Sequence, residues 1–528
     1  MLQLLDLFAF LSVLLRAMTL SFEALTVGGV IFRFAIAKGD GEGNLDSRLS
    51  RFVVWFAGLL AVTQAAYIAA DSAILMESTQ LTWADVRGAA FCVSGFTIIA
   101  GAVAVAVFAR TRAARFVCSL GCIPILVGAV MSSHSMARLE HRWELAALTL
   151  AHHAASAAWV GGMPYLLISL RRTKDQAAAA AIVGRFSRMA LAAVPILAVA
   201  GAGMSFAYVG STAALTGTAY GIMLLSKLIL TALLVVLGAL NFKIVRAVRN
   251  GVAPDLFPLR RFAEAELGVG ITILLAAASL TSSPPAADVQ NDRVTHQEIA
   301  DRMRPTWPRM ETPPLTDLSP PTILQPLSAP ASLIPGQKIQ QPSTPGDIAW
   351  SEYNHHWAGL IVIAIGVLSL LARRWTWARN WPLVFFGLAI FLLIRADPEN
   401  WPLGPNGFWE SFRVAEVAQH RIFVLLIVAF AIFEWCVQNG KLSAARAGLA
   451  FPMVCAAGGA LLLTHSHSLS NVKEEFLAEL SHTPLAILAV AAGWSRWLEI
   501  RLAPQVVRWV WPVCFILIGA ILMNYREA

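Results

Sequence analysis

Eleven histidines, at positions 134, 141, 152, 153, 296, 355, 356, 420, 465, 467 and 482, are the residues of this 528-residue chain best equipped for chemistry. Imidazole ligates copper, zinc and iron, and it is the usual axial ligand of a b-type haem. Softer donors accompany the first group: Met131 and Met136 flank His134 in the run MSSHSM, and Met163 follows Trp159 by four residues. Cys118 and Cys122 are four apart, hence on one face of a helix, where they form either a thiolate exit site or ordinary core. Lys227 and Glu23 are charges inside apolar stretches; burying either alone is costly, so they pair with each other or line a polar path. Methionine is also common membrane filler, and each of these residues has a packing role as its plain alternative.

The elements that position these groups follow from composition. Hydrophobic residues make up 57% of the chain and charged residues 14%, against about 25% charged in soluble domains. That excludes an ordinary soluble enzyme and implies an all-α, polytopic membrane protein. Runs long enough to cross a bilayer as helices number fourteen: 5–36, 52–76, 88–109, 116–133, 143–170, 186–209, 219–242 and 262–281, then 355–372, 380–396, 417–437, 446–464, 482–499 and 505–523. The expected organisation is an eight-helix domain over 1–281, a Pro-rich linker over 282–354 and a six-helix, His-rich domain over 355–528. The linker holds half of the 26 prolines, and proline removes donors and resists helix. The basic residues form no nucleic-acid groove; 24 of the 40 fall in alternate loops, which predicts both termini and the linker on the outer, periplasmic side. The six cysteines form no CxxC, so neither a disulfide framework nor structural zinc is expected. MLQLLDLFAF lacks a basic start, so no cleaved signal peptide is expected.

On that topology every histidine lies in the outer half or outside. His355, His356, His420, His465, His467 and His482 come from four helices at similar depth, with one of each doublet expected to face inward. Two opposed imidazoles suit haem b; three or four at short range suit copper. Arg395 and Arg421 are candidates for a haem propionate or for helix-end anchors. No P-loop, DKTG, GxSxG or HExxH occurs, which removes support for ATP-driven pumping and hydrolysis.

The run LAHHAASAAWVGGMPYL at 150–166 carries a histidine, small residues and Trp159-Val160-Gly161-Gly162. Together with GRFSRMALAAVPILAVAGAGMSFAYVG at 184–210, TAYGIMLLSKLILTALLVVLGALNF at 218–242 and RFAEAELGVG at 261–270, it resembles the copper-resistance protein D (CopD) family over roughly 130–285. The second half is similar to the extension of longer CopD-type proteins. The resemblance implies an inner-membrane protein passing copper from periplasm to cytoplasm, with His152 and His134 as ligands and His153 as an additional histidine. Which of His152 and His153 points inward is open. The partners expected are the lipid bilayer, copper ions and a periplasmic copper chaperone, with no nucleic acid. The alternatives are a haem-b electron carrier or oxidoreductase, including a Cu(II) reductase, and an assembly partner of a copper enzyme.

Overall fold

The computed structural model describes residues 2–37, 43–250, 255–290, 292–318, 344–398, 400–413, 415–464, 472–502 and 507–527. The regular structure among these residues is helical, apart from one bridge between Asn400 and Asn406. It divides into two compact units, Leu4–Arg293 and Val294–Leu463, the latter with the described residues after 471.

The first unit contains α1 (Leu2–Ile31), α2 (Gly43–Thr79), α3 (Ala90–Phe108), α4 (Ala114–Met131), α5 (Arg142–Ser156), α6 (Met163–Arg172), α7 (Gln176–Val209), α8 (Ala219–Arg249) and α9 (Phe257–Ser282). Sequence neighbours pack together: α2 on α3, α3 on α4, α8 on α9, while α5 lies along α7. Phe116, Val199 and Phe206 are each at least 69% exposed. Such faces are stable against lipid rather than water.

The second unit contains α10 (Pro345–Leu371), α11 (Val384–Arg395), α12 (Ala415–Gln438), α13 (Ala450–Leu462), α14 (Val472–Leu502) and α15 (Val510–Met523). Its core is aromatic, with Trp381, Phe385, Phe451, Trp511 and Phe515 buried together. α10 meets α15 through glycine: a Cβ on Gly359 would lie 2.7 Å from the Gly519 carbonyl. Small residues are how helices gain close contact inside a bilayer. Residues 294–312, expected to be extended linker, lie against this unit. A helix at His296–Met303 is closed by a Thr295/Glu298 capping box, and Arg302 donates to the Glu527 carbonyl at 2.6 Å.

The count of fourteen spans in an eight-plus-six arrangement is corrected here. Among the described residues ten helices are long and apolar enough to cross a membrane, seven before residue 283 and three after 344. The run 143–170 is two helices of 15 and 10 residues, separated by a π-helical turn at Ala157–Gly161. The apolar helices at Ala447–Leu462 and Val507–Met523 are shorter than 18 residues. α14 carries His482, Arg496, Glu499 and Arg501, which dilute its hydropathy. Of the four runs that fall short, one is divided, two form shorter helices and one carries polar side chains. The protein remains an all-α, multi-pass membrane protein.

Candidate metal path in the first unit

The break in α5–α6 is where the chemistry gathers. Gly161 and Gly162 let the π turn meet α1 backbone to backbone: a Cβ on Gly161 would sit 1.9 Å from the Ala24 carbonyl, and one on Gly28 2.2 Å from that of Ala157. π-helical turns inside helices are frequent at functional sites. The crossing brings Glu23, the residue before Ala24, onto α5. Its Oε1 lies 2.8 Å from His153 Nδ1, with the Glu23 side chain 3% exposed. Glu23 therefore pairs with His153 and not with Lys227. Beyond the turn, Trp159 and His152 face different helices. Trp159 packs by Gly238 of α8, whereas the His152 ring faces Gly201 of α7.

His152 Nδ1 is buried and has no hydrogen-bond partner, while the ring reaches the backbone of Leu197. Lys227 and His153 are its charged or titratable neighbours. One turn earlier on α5, Thr149 donates from Oγ1 to Met204 Sδ at 3.3 Å. One further turn along α7, Tyr208 meets the edge of His134, with ring centroids 6.0 Å apart; Tyr220 of α8 flanks the same ring at 6.4 Å. Gly201, Met204 and Tyr208 recur at helical spacing on one face of α7. His134 thus sits about 10.5 Å nearer the end of the bundle than His152, seven residues at 1.5 Å each.

His134 opens a short helix at His134–Ala137, and its Nε2 is also buried without a partner. Burial first, and the Arg16 guanidinium second, hold its pKa below the ordinary histidine value. A neutral imidazole is the form that binds metal. Met131 closes α4 and Met136 lies in the short helix, both half-buried beside His134 in sequence. His141 caps α5 in a left-handed conformation, 3.6 Å from Glu144. Cys118 and Cys122 are buried on α4; Cys118 donates to the Val105 carbonyl of α3 at 3.8 Å. At the other end of the bundle, Glu264 accepts from Arg171 at 3.0 Å and Arg261 at 2.7 Å.

The second unit arranges its histidines differently. His356 has both ring nitrogens occupied by backbone: Nδ1 accepts from the Arg309 N–H at 2.7 Å and Nε2 meets the Tyr525 carbonyl at 2.9 Å. His420 Nδ1 is tied to Asp397 at 2.7 Å. His355 stacks on the Tyr525 ring at 3.8 Å, and His482 meets that ring edge-on at 6.2 Å. His465 and His467 lie outside the described residues. Tyr525 contacts both His355 and His482, so these two do not grip a flat macrocycle from opposite faces. Arg421 donates to the Leu393 and Trp401 carbonyls at 2.7 and 2.5 Å, the role of a helix-end anchor. His355 and His482 therefore do not fit as a haem-ligating pair, nor Arg421 as a propionate contact. No group of three His, Cys, Asp or Glu able to hold a metal comes together among the described residues of either unit. Any path through the first unit consists of donors met in succession.

Two comparisons bear on what such a path carries. Residues 180–280 match the family of copper resistance protein D. They span most of α7, all of α8 and most of α9, the helices against which His134 and His152 pack. Over 137 residues the chain is 36% identical to the copper transport protein CutJ of Bacillus subtilis (strain 168). That alignment covers 25% of this chain and 24% of CutJ. No solved structure matches the chain. The chain thus contains a CopD-like membrane region and is related, over part of its length, to a copper-transport protein.

Met204, Tyr208, Tyr220 and the Glu23–His153 pair are absent from the reading by spacing alone. Met204 stands alone among small residues in AGAGMSFAYVG, and its partner Thr149 is 55 positions away. The only local signal was its place on one helical face with Tyr208.

Proposed function

We propose that this is a copper-handling protein of a bacterial inner membrane, with both termini on the periplasmic side, and that it passes copper inward through its first unit. The observation that carries the reading is the placement of His134 and His152 one below the other against helices bearing the CopD match, each with a buried, unpartnered ring nitrogen. A buried polar atom without a partner costs free energy and calls for an explanation. A transient metal ion supplies one. Copper enters at His134 and is handed to His152. Imidazole in its neutral form and thioether are uncharged donors that suit soft ions. The orientation rests on the basic loops: Arg171, Arg185 and Arg261 would face the cytoplasm.

Cells expressing the wild-type protein and His152→Ala at matched membrane levels test this by total copper content. The reading predicts copper accumulation in the wild type that is lost in the variant. Equal accumulation in both would overturn His152 as a ligand on the path. Normal uptake in both with a copper-deficient client enzyme would favour an assembly role.

A further inference from the structure

We infer that Met204 and His152 together form a buried two-donor site for a soft monovalent ion, Cu(I), between α5 and α7. The inference rests on the proposed copper function and specifies the form of the ion at its inner step. The two helices run side by side with Thr149 opposite Met204 and His152 opposite Gly201. Thr149 Oγ1 is 3.3 Å from Met204 Sδ, and a Cβ at Gly201 would be 3.7 Å from His152 Nδ1. The two pairs are therefore one turn apart, three residues on either helix, or about 4.5 Å along the axis. One ion bonded to sulfur at about 2.3 Å and to nitrogen at about 2.0 Å joins side chains one turn apart on facing helices. Gly201 leaves the side of the imidazole open, and Nδ1 is the buried nitrogen that no hydrogen bond takes.

The chemistry selects the ion. Thioether with imidazole suits Cu(I), whereas divalent hard ions prefer oxygen ligands. Two neutral donors supply no charge to offset a divalent ion in low dielectric. Lys227, when protonated, opposes a divalent ion twice as strongly as a monovalent one. Glu23 is the nearby carboxylate, and its Oε1 is already engaged by His153. Thr149 Oγ1, which also donates to the Leu145 carbonyl at 2.8 Å, holds the Met204 thioether against α5.

The test uses the full chain in detergent, loaded with one equivalent of Cu(I) in competition with a chromophoric Cu(I) chelator, alongside copper-edge X-ray absorption. Met204→Leu keeps the volume nearly constant and is predicted to weaken Cu(I) about tenfold or more, comparable to the loss of an important ligand partner. The wild-type absorption spectrum is predicted to contain one sulfur and one nitrogen neighbour, and the sulfur signal to vanish in the variant. If Met204→Leu binds Cu(I) as tightly as the wild type while His152→Ala does not, the two-donor site is wrong and the copper path stands. If His152→Ala also binds normally, the copper path itself fails. Should Met204→Leu not fold, absence of sulfur scattering in the wild type alone overturns the site.

Discussion

At the scale of single residues, the account turns on ring nitrogens. His134 and His152 each bury one that nothing satisfies, while His356 spends both on backbone. Because burial depresses the His134 pKa, that imidazole stays neutral at pH values where an ordinary histidine, near 6.5, begins to protonate. Copper uptake is therefore predicted to hold steady as external pH falls through about 6.5 and to decline only below it. A pH profile with its midpoint at or above the ordinary value would contradict this placement. The linkage has the same sign for stability: folded His134 binds fewer protons than the unfolded chain, so its contribution is lost as pH falls below the ordinary value. His356→Ala is predicted to lower stability by about 2–5 kcal/mol, because it strands the Arg309 N–H and the Tyr525 carbonyl. A melting curve checks this, and copper uptake should be unchanged; an unaltered melting temperature would remove His356 from its structural role. The sequence made His356 look like one ligand among several, since a doublet at a helix start says nothing of the strap that Arg309 brings 47 positions away.

At the scale of elements, the decisive feature is the π turn at Ala157–Gly161. Gly161-Gly162 are small residues of the kind that let helices come close, and they do so here. What the sequence concealed was their partner, α1 at Ala24 and Gly28, and the consequence, a helix too broken to count as one span. Periodicity predicts a continuous helix here because both halves are apolar. The extra residue per turn is invisible until the crossing is seen. Gly161→Ala forces a methyl group to 1.9 Å from the Ala24 carbonyl, so α1 must move away and take Glu23 with it. Overpacking of this kind costs about 1–3 kcal/mol or more. Gly184→Ala, where an added Cβ meets nothing within 4 Å, serves as the matched control. Thermal unfolding should separate the two variants clearly, and copper uptake should fall only in Gly161→Ala. Identical melting temperatures would mean that the crossing tolerates movement and does not fix the Glu23–His153 pair.

At the scale of the whole molecule, composition alone was enough for an all-α membrane protein, and the motifs from 150 to 270 were enough for the CopD likeness. The number of spans was not legible, because short apolar helices such as Val507–Met523 and a charged one such as α14 resemble spans when scored as runs of residues. The haem alternative for the second unit predicts a Soret band in the purified protein. The arrangement of His355, Tyr525 and His482 predicts none from that trio, so a Soret band surviving in wild type but lost in His355→Ala would contradict it. The most direct measurement of the central claim is copper flux into liposomes containing the purified full chain. The account predicts saturable uptake above that of empty liposomes, abolished by His152→Ala in protein that remains folded. Wild-type liposomes no faster than empty ones, or a His152→Ala variant as fast as wild type, would contradict it.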